Sequence, residues 1–251
     1  MRLIFAIVRR EIQGYFVSPI AYTVITGFLL ISGYGFLKAI ETYTSISPLD
    51  FALGQISIQS DLIPRLNRWA NLATLLCLPA LSMRLFSEER KGGTIELLLT
   101  SPMTTSQLVL GKYLGAVIVY TMIVAMTVPY MVQIGRIGNP DWGAVATTYV
   151  GYVLFGGVLL AVGLFASAIT ENQIVALVIT YALFLPFFLI DQLATFFSSS
   201  AGDVLAGLSV SRSKYQFSQG LIDTHDLVLN GSLIFLFLFL SAQVLDSSRW
   251  R

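Results

Sequence analysis

The residues most able to do chemistry stand together at 223–226, where His225 lies between Asp223 and Asp226. An imidazole with two carboxylates could bind a metal ion or form an acid–base pair. The run is followed directly by a long apolar segment, and Asp or Thr before such a segment is typical of a helix N-cap. We therefore expect a solvated helix start, and we predict no catalytic residue and no metal site in this chain.

Two other features argue against thiol and nucleotide chemistry. The single cysteine, Cys77, can form neither an internal disulfide nor a cysteine cluster for a metal. A phosphate-binding loop has the pattern Gly-x4-Gly-Lys-Ser/Thr. Here Gly111-Lys112 is followed by Tyr113, and Ser106 stands where the first glycine would be. We expect no ATP site and no cofactor in this chain, and we predict that it is not an enzyme.

The charged segment 84–112, RLFSEERKGGTIELLLTSPMTTSQLVLGK, predicts short helices separated by breaks. Ser87 is placed to cap a first helix that has Glu88 and Glu89 in its first turn, where the helix dipole favours anions. Gly92-Gly93 is expected to end this helix, because glycine readily adopts the conformation that terminates one.

A second short helix is predicted to follow the two glycines. Thr94 begins it, Glu96 lies in its first turn, and Pro102 ends it. Thr104 and Gln107 then form a capping box at the start of the next long helix. We interpret the segment as a rigid helix presented to another molecule, and the alternative is an ordinary amphipathic loop between two helices.

The composition shows what kind of protein must position these residues. Among 251 residues, 12% are charged and 55% are hydrophobic, whereas roughly 25% are charged in an ordinary soluble domain. The mean hydropathy is +0.76. A net charge of +1 offers no basic surface for nucleic acid. These values exclude a soluble enzyme, a nucleic-acid binder and a disordered chain, and they predict a membrane protein.

Uncharged runs predict where the chain crosses the membrane. Five runs of 19 to 29 residues are each long enough to span the hydrocarbon layer. A sixth run, 69–83, spans it if Arg68 and Arg84 extend towards the two surfaces. We predict a single all-α membrane domain over 1–251. Its six spans are expected at about 19–37, 68–86, 113–135, 143–169, 172–190 and 227–245.

The distribution of charge predicts the orientation. Lys and Arg are more numerous on the inner side if both termini are cytoplasmic, in agreement with the positive-inside rule. Residues 2–17 then form an amphipathic helix on the inner surface, which ends at Ser18-Pro19. Glu11 falls on the apolar face of this helix and is expected to pair with a basic residue or a neighbouring helix. Short outer helices are expected between spans five and six, where 204–208 and 217–222 are weakly apolar; periodicity alone does not distinguish such helices from a loop there.

The segment 84–112 resembles the membrane subunit of ABC-2 type exporters. That family has a Glu-rich turn, then Gly-Thr-x-Glu-x-Leu, and then a proline. The matching residues here are Glu88, Glu89, Gly93, Thr94, Glu96, Leu97 and Pro102. The N-terminal helix is similar to the family's elbow helix, with matches at Arg10, Glu11, Tyr15, Phe16 and Pro19. Residues 220–226 resemble the gliding-motility-associated branch of the family.

The resemblance implies a permease in the plasma membrane of a prokaryote. It would pair with a second copy or a paralogue, and a coupling helix between spans two and three would dock on a cytoplasmic ABC ATPase that binds ATP and Mg²⁺. Membrane lipids and an extracytoplasmic accessory subunit are the other implied partners. In the family, spans one, two and five line the dimer interface. The polar residues that these spans offer here are Thr23, Thr26, Tyr34, Asn71, Thr74, Thr180 and Tyr181.

An uncharged polar lining suits a lipid-like or amphipathic cargo better than a small ion. The alternative function is a scaffold, or a subunit that transmits force to an extracytoplasmic partner, because the cytoplasmic segment would look the same. An intramembrane hydrolase or transferase would require several ionisable groups at membrane depth, and the six predicted spans contain none between their bounding charges.

Overall fold

The fold is given by a computed structural model, which describes residues 2–45, 62–99, 103–137, 140–194 and 207–248. Helices make up nearly all of these residues, and the described ranges contain no strand. In chain order the helices are α1 (Arg2–Val17), α2 (Pro19–Ser45), α3 (Ile63–Ser82), α4 (Arg84–Lys91), α5 (Ile95–Leu99), α6 (Thr105–Ala125), α7 (Val128–Ile137), α8 (Trp142–Ile169), α9 (Gln173–Ala194), α10 (Val210–Ser218) and α11 (Thr224–Ser248).

The described residues contain six helical segments that are long and apolar enough to cross a membrane, which agrees with the predicted number. They are α2, α3 with α4, α6 with α7, α8, α9 and α11. Most of these segments extend beyond the predicted bounds, and one of them is interrupted. The helix α2 continues past 37 to Ser45, supported near its end by an ion pair between Lys38 and Glu41 at 2.7 Å. The third segment is interrupted at Met126 and Thr127, just before Pro129, which has no backbone N–H to donate.

The centre of the bundle is α8, which packs against α3, α4, α6, α9, α10 and α11. Of its most apolar stretch 78% is buried, against 17% for α9. Gly156 lets α6 approach closely, because a Cβ there would lie 2.0 Å from a ring atom of Tyr120. The helix α8 is therefore enclosed by protein, whereas α2, α9 and α11 present apolar side chains to lipid or to another chain.

The described residues contain a short helix between spans five and six, as predicted, but it does not coincide with the two weakly apolar stretches. One helix, α10, covers the polar residues that separate the two apolar stretches; residues 204–206 of the first stretch lie outside the described ranges. Tertiary partners explain the difference. Asn230 Nδ2 donates to Ser213 Oγ at 2.8 Å, and Thr147 Oγ1 donates to the Phe217 carbonyl at 2.8 Å. These contacts let a polar sequence fold against the bundle.

The run at 223–226 forms a helix start, as predicted. The backbone N–H of His225 donates to Asp223 Oδ1 at 3.0 Å, and α11 begins at Thr224. Asp223 therefore satisfies one of the backbone donors that a helix N-terminus leaves open. The His225 Nδ1 and Asp226 Oδ1 atoms are 3.7 Å apart.

Candidate coupling site

Part of the predicted elbow set and part of the predicted coupling set meet around one cavity, whereas Phe16, Pro19, Gly93 and Glu96 do not line it. This cavity has a volume of about 300 Å³ and lies between α1, α4 and α6. Residues from both predicted sets line it, although the two sets are separated by more than seventy positions in sequence. The lining residues are Arg10, Glu11, Gly14, Tyr15, Arg84, Leu85, Glu88, Glu89, Thr94 and Lys112.

A buried lysine joins the three helices at this cavity. Lys112 Nζ lies 2.7 Å from Glu11 Oε1 on α1 and 2.9 Å from Glu89 Oε1 on α4. Only 3% of the Lys112 side chain is exposed, and Arg10 adds a longer contact of 4.0 Å to Glu89. The prediction that Glu11 pairs with a basic residue is therefore confirmed. We call Arg10, Glu11, Glu89 and Lys112 the Lys112 cluster.

Glycines on α6 bring α1 close enough for this pairing. A Cβ at Gly111 would lie 2.7 Å from Ile7 Cγ2, and a Cβ at Gly115 would lie 2.8 Å from Glu11 Cβ. Both distances are shorter than carbon atoms can approach without displacement. The two glycines flank Lys112, so the same turns of α6 that admit α1 also supply the cation.

A second set of contacts joins α4 to the break between α1 and α2. Arg84 at the start of α4 donates to Ser18 Oγ, and its guanidinium lies 5.3 Å from the centre of the Tyr15 ring. Tyr15 is buried, and its hydroxyl donates to the Leu81 carbonyl at 3.1 Å. Arg84 also lies 3.4 Å from Glu88, one turn along α4. The start of the first span is thereby attached to the end of α3 and the start of α4.

The predicted cap at Ser87 is wrong. The helix α4 begins at Arg84, and Ser87 is fully buried within it, donating to the Met83 carbonyl. The reason is that α4 directly continues α3 after a single intervening residue, so it needs no separate start. The break after α4 is confirmed, because Gly93 has a φ of +66°, a conformation that glycine adopts at little cost.

Residues on both sides of this break are exposed. Gly93, Thr94 and Glu96 are exposed, and 58% of the Glu88 side chain is exposed as well. The helix α5 starts at Ile95 with Glu96 in its first turn, as predicted. Pro102 lies outside the described residues. The capping box is confirmed, since Thr104 accepts from the N–H of Gln107 and Gln107 accepts from that of Thr104.

The residues predicted to line a pathway fall into three groups. Thr23, Thr26 and Tyr34 are exposed on α2. At the contact of α3 and α9, Asn71 is half-buried, and the Tyr181 hydroxyl donates to the Leu75 carbonyl at 3.0 Å.

The third group is buried inside the chain. Thr74 and Thr180 have no exposed surface. Each donates to the carbonyl of its own helix four residues earlier, Thr74 to Ala70 and Thr180 to Ala176. These two residues therefore lie behind the surface that α3 and α9 present.

Comparison with protein-family models identifies the family to which this chain belongs. The family model described as ABC-2 family transporter protein matches residues 16–216. The chain belongs to the ABC-2 transporter family. It is therefore a membrane subunit of an ABC transporter, and in such permeases the ATPase is a separate subunit. The match begins at the end of α1 and extends into α10, so it includes α4 and α6 of this site but not Arg10, Glu11 and Tyr15 on α1.

Individual relatives are more distant. The chain is similar to a probable multidrug ABC transporter permease, YbhR, of Escherichia coli strain K12, with 31% identity over 105 residues. A protein of the same name from Escherichia coli O157:H7 matches equally. The alignment covers 42% of this chain and 28% of the relative's length.

Sequence reasoning missed the two basic residues that hold the site together, Lys112 and Arg84. A signal for Lys112 was present, because an acidic residue on the apolar face of α1 requires a cation and Lys112 stands between two glycines that permit close packing. Arg84 had no comparable signal. Its position over Tyr15 depends on how α3 ends, which local sequence does not determine.

Proposed function

We propose that this ABC-2 permease couples ATP hydrolysis by a separate ATPase chain to the outward movement of a lipid-like or amphipathic cargo. The ATPase subunit, with its ATP and Mg²⁺, would bind the exposed residues of α4 and α5 from the cytoplasm. Both termini would then be cytoplasmic, and the site of action would be the plasma membrane of a prokaryote. A second copy or a paralogue would complete the pathway at the surface of α2, α3 and α9.

The Lys112 cluster is the observation that supports this proposal best. A loop that served only to connect two spans would not need a buried lysine shared by two acidic residues. Such a cluster resists separation of the helices, because moving α1 or α4 away breaks one ion pair of the buried Lys112 and moving α6 away breaks both. A push on α4 and α5 would therefore move α1 and α6 together with them.

The contacts of Arg84 would extend this movement to the first span. The Ser18 and Tyr15 contacts join α4 to the junction of α1 and α2. The first span, α2, is one of those assigned to the dimer interface. A displacement of α4 would therefore move α2, and two copies of the chain could separate along the surface of α2. Thr23, Thr26 and Tyr34 are exposed there, whereas Thr74 and Thr180 are buried and are left out of the proposed lining.

The second candidate function is transmission of force to an extracytoplasmic partner without cargo. The Lys112 cluster is compatible with this second function as well, because a movement of α4 and α5 would be transmitted to the spans in either case. The two functions differ in what stimulates hydrolysis. A transported lipid should stimulate ATPase activity in proteoliposomes that contain only the permease and its ATPase, whereas a force-transmitting assembly should require the extracytoplasmic subunit.

Co-purification after charge reversal tests the docking surface. Tagged protein, gently solubilised from native membranes, should retain a chain that contains Gly-x4-Gly-Lys-Ser/Thr. Glu96→Lys should reduce this retention about tenfold, which corresponds to about 1.4 kcal/mol. The matched control is Glu41→Lys, which reverses an exposed acidic residue on α2. Equal retention by the two variants, or no ATP-binding chain with the unsubstituted protein, would contradict the proposal.

A further inference from the structure

The short helix α10 carries a lysine into the bundle. Lys214 is 6% exposed, and it packs against the first half of α8. Its Nζ is 4.1 Å from the centre of the Tyr152 ring and 4.2 Å from that of Phe155. Tyr152 is ten residues into α8, or about 15 Å along the helix axis from its start. The cation is therefore well inside the protein.

This lysine lacks a counter-charge in the described part of the chain. Its Nζ has neither a hydrogen-bond partner nor an acidic residue within ion-pair distance there. A buried ammonium without an anion is costly even when aromatic rings face it. Burial lowers the pKa of Lys214, and a bound anion would raise it again.

Lys214 lines a polar cavity of about 210 Å³ between α3, α8 and α10. Two amides there also have unsatisfied atoms among the described residues, namely Asn67 Nδ2 and Asn71 Oδ1. Asn67 Oδ1 accepts from the Tyr152 hydroxyl at 2.7 Å, which fixes this amide with its Nδ2 still available. Arg68 adds a second cation to the lining. The unpaired donor Asn67 Nδ2 and two cations in one cavity suit a phosphate group, whereas Asn71 Oδ1 is an acceptor and does not contribute to this match.

An apolar groove adjoins this cavity. The groove has a volume of about 390 Å³ and shares Arg68 and Asn71 with the polar cavity. Its other lining residues are Trp69, Leu72 and Leu75 on α3 and Phe188 on α9. A cationic cavity that continues into an apolar groove matches a molecule with a charged head and a hydrocarbon chain.

We propose that the cavity at Lys214 binds the phosphate headgroup of an anionic membrane phospholipid, with an acyl chain in the groove between α3 and α9. Lys214 and Arg68 would provide the charge, and Asn67 would donate a hydrogen bond. Phosphatidylglycerol is a lipid of this class. The site concerns lipid binding alone, so it would remain even if the chain moved no cargo and met no ATPase.

Lipid binding to the purified chain, without any ATPase, tests the proposal. Native mass spectrometry of the detergent-solubilised protein would measure the apparent Kd for phosphatidylglycerol. Lys214→Met should weaken binding at least tenfold, because a charge-assisted hydrogen bond to a buried cation is lost. Lys38→Met is the control, since it removes an exposed lysine and should change the Kd less than twofold. Equal Kd values for the two variants would overturn the proposal.

A second pair of variants tests whether the groove holds the acyl chain. This pair also tests the proposal if Lys214→Met does not fold. Leu72→Trp should fill the groove and weaken phosphatidylglycerol binding, whereas Leu76→Trp, on an exposed position of the same helix that does not line it, should not. If Leu72→Trp lowers the dimer fraction and leaves lipid binding unchanged, a second copy covers the groove and the proposal is wrong. If inorganic phosphate binds as tightly as the lipid, the site recognises free phosphate and the acyl assignment is wrong.

Discussion

Lys112→Met tests how much the coupling site depends on its buried cation. Methionine keeps much of the apolar length of lysine but removes the charge, so Glu11 and Glu89 would lose their shared partner and only the longer contact of Arg10 with Glu89 would remain. The lysine nitrogen now lies 2.7 and 2.9 Å from their oxygens. Removing it leaves two mostly buried carboxylates close together, and both burial and mutual repulsion then oppose their ionisation.

The expected loss of stability follows from the burial of the three groups. Breaking a buried ion pair by removing one partner costs about 3–5 kcal/mol. Lys112 is 3% exposed, whereas the two carboxylates are 16% and 14% exposed and reach some water. We therefore take the lower value, about 3 kcal/mol. For a chain of this size each kcal/mol lowers Tm by about 2–4 °C, so a fall of about 6–12 °C is expected.

Thermal unfolding in detergent or nanodiscs, followed by loss of the monodisperse size-exclusion peak, measures this change. Lys91→Met is the matched control, because Lys91 is exposed on the same helix as Glu89 and should lower Tm by at most about 2 °C. Adding Glu11→Gln to Lys112→Met should recover part of the loss by removing one unpaired charge. If Lys112→Met and Lys91→Met have the same Tm, the Lys112 cluster does not hold these helices together.

Two further predictions concern glycines at the same site. Gly93→Ala should lower the free energy of unfolding by about 1–2 kcal/mol, because its φ of +66° is unfavourable for an L-residue, while Gly92→Ala, at φ −82°, should have a smaller effect on Tm. Gly111→Val should push α1 away from α6 and speed tryptic cleavage after Arg10 about tenfold, whereas Gly14→Val, which faces open space, should not. Equal digestion rates for these two valine variants would show that α1 is not held by its close approach to α6.

Local sequence signals predicted the elements that depend on local interactions. The capping box at Thr104, the break at Gly93 and the end of α1 before Pro19 each require only residues a few positions apart, and all three are present. Five of the six spans follow from apolar length alone, and the remaining one follows once Arg68 and Arg84 extend towards the two surfaces, which is why the spans were predictable too.

Elements that depend on distant partners were not predictable in this way. The polar sequence of α10 is typical of a loop. It forms a helix because Ser213 and Phe217 accept hydrogen bonds from side chains on α11 and α8, respectively. Ser87 has the character of a cap, but the continuation of α3 into α4 buries it. Lys112 and Glu11 are about a hundred positions apart, so only the packing of α1 on α6 brings them together.

Photocrosslinking from position 96 tests the central claim most directly. A benzophenone amino acid in place of Glu96 would be activated in intact cells, and the crosslinked chain identified by mass spectrometry. The same probe in place of Trp142, which is exposed at the start of α8, is the control. The account predicts a crosslink from position 96, and not from 142, to a chain that contains Gly-x4-Gly-Lys-Ser/Thr. A crosslink to such a chain from both positions, or from neither, would contradict it.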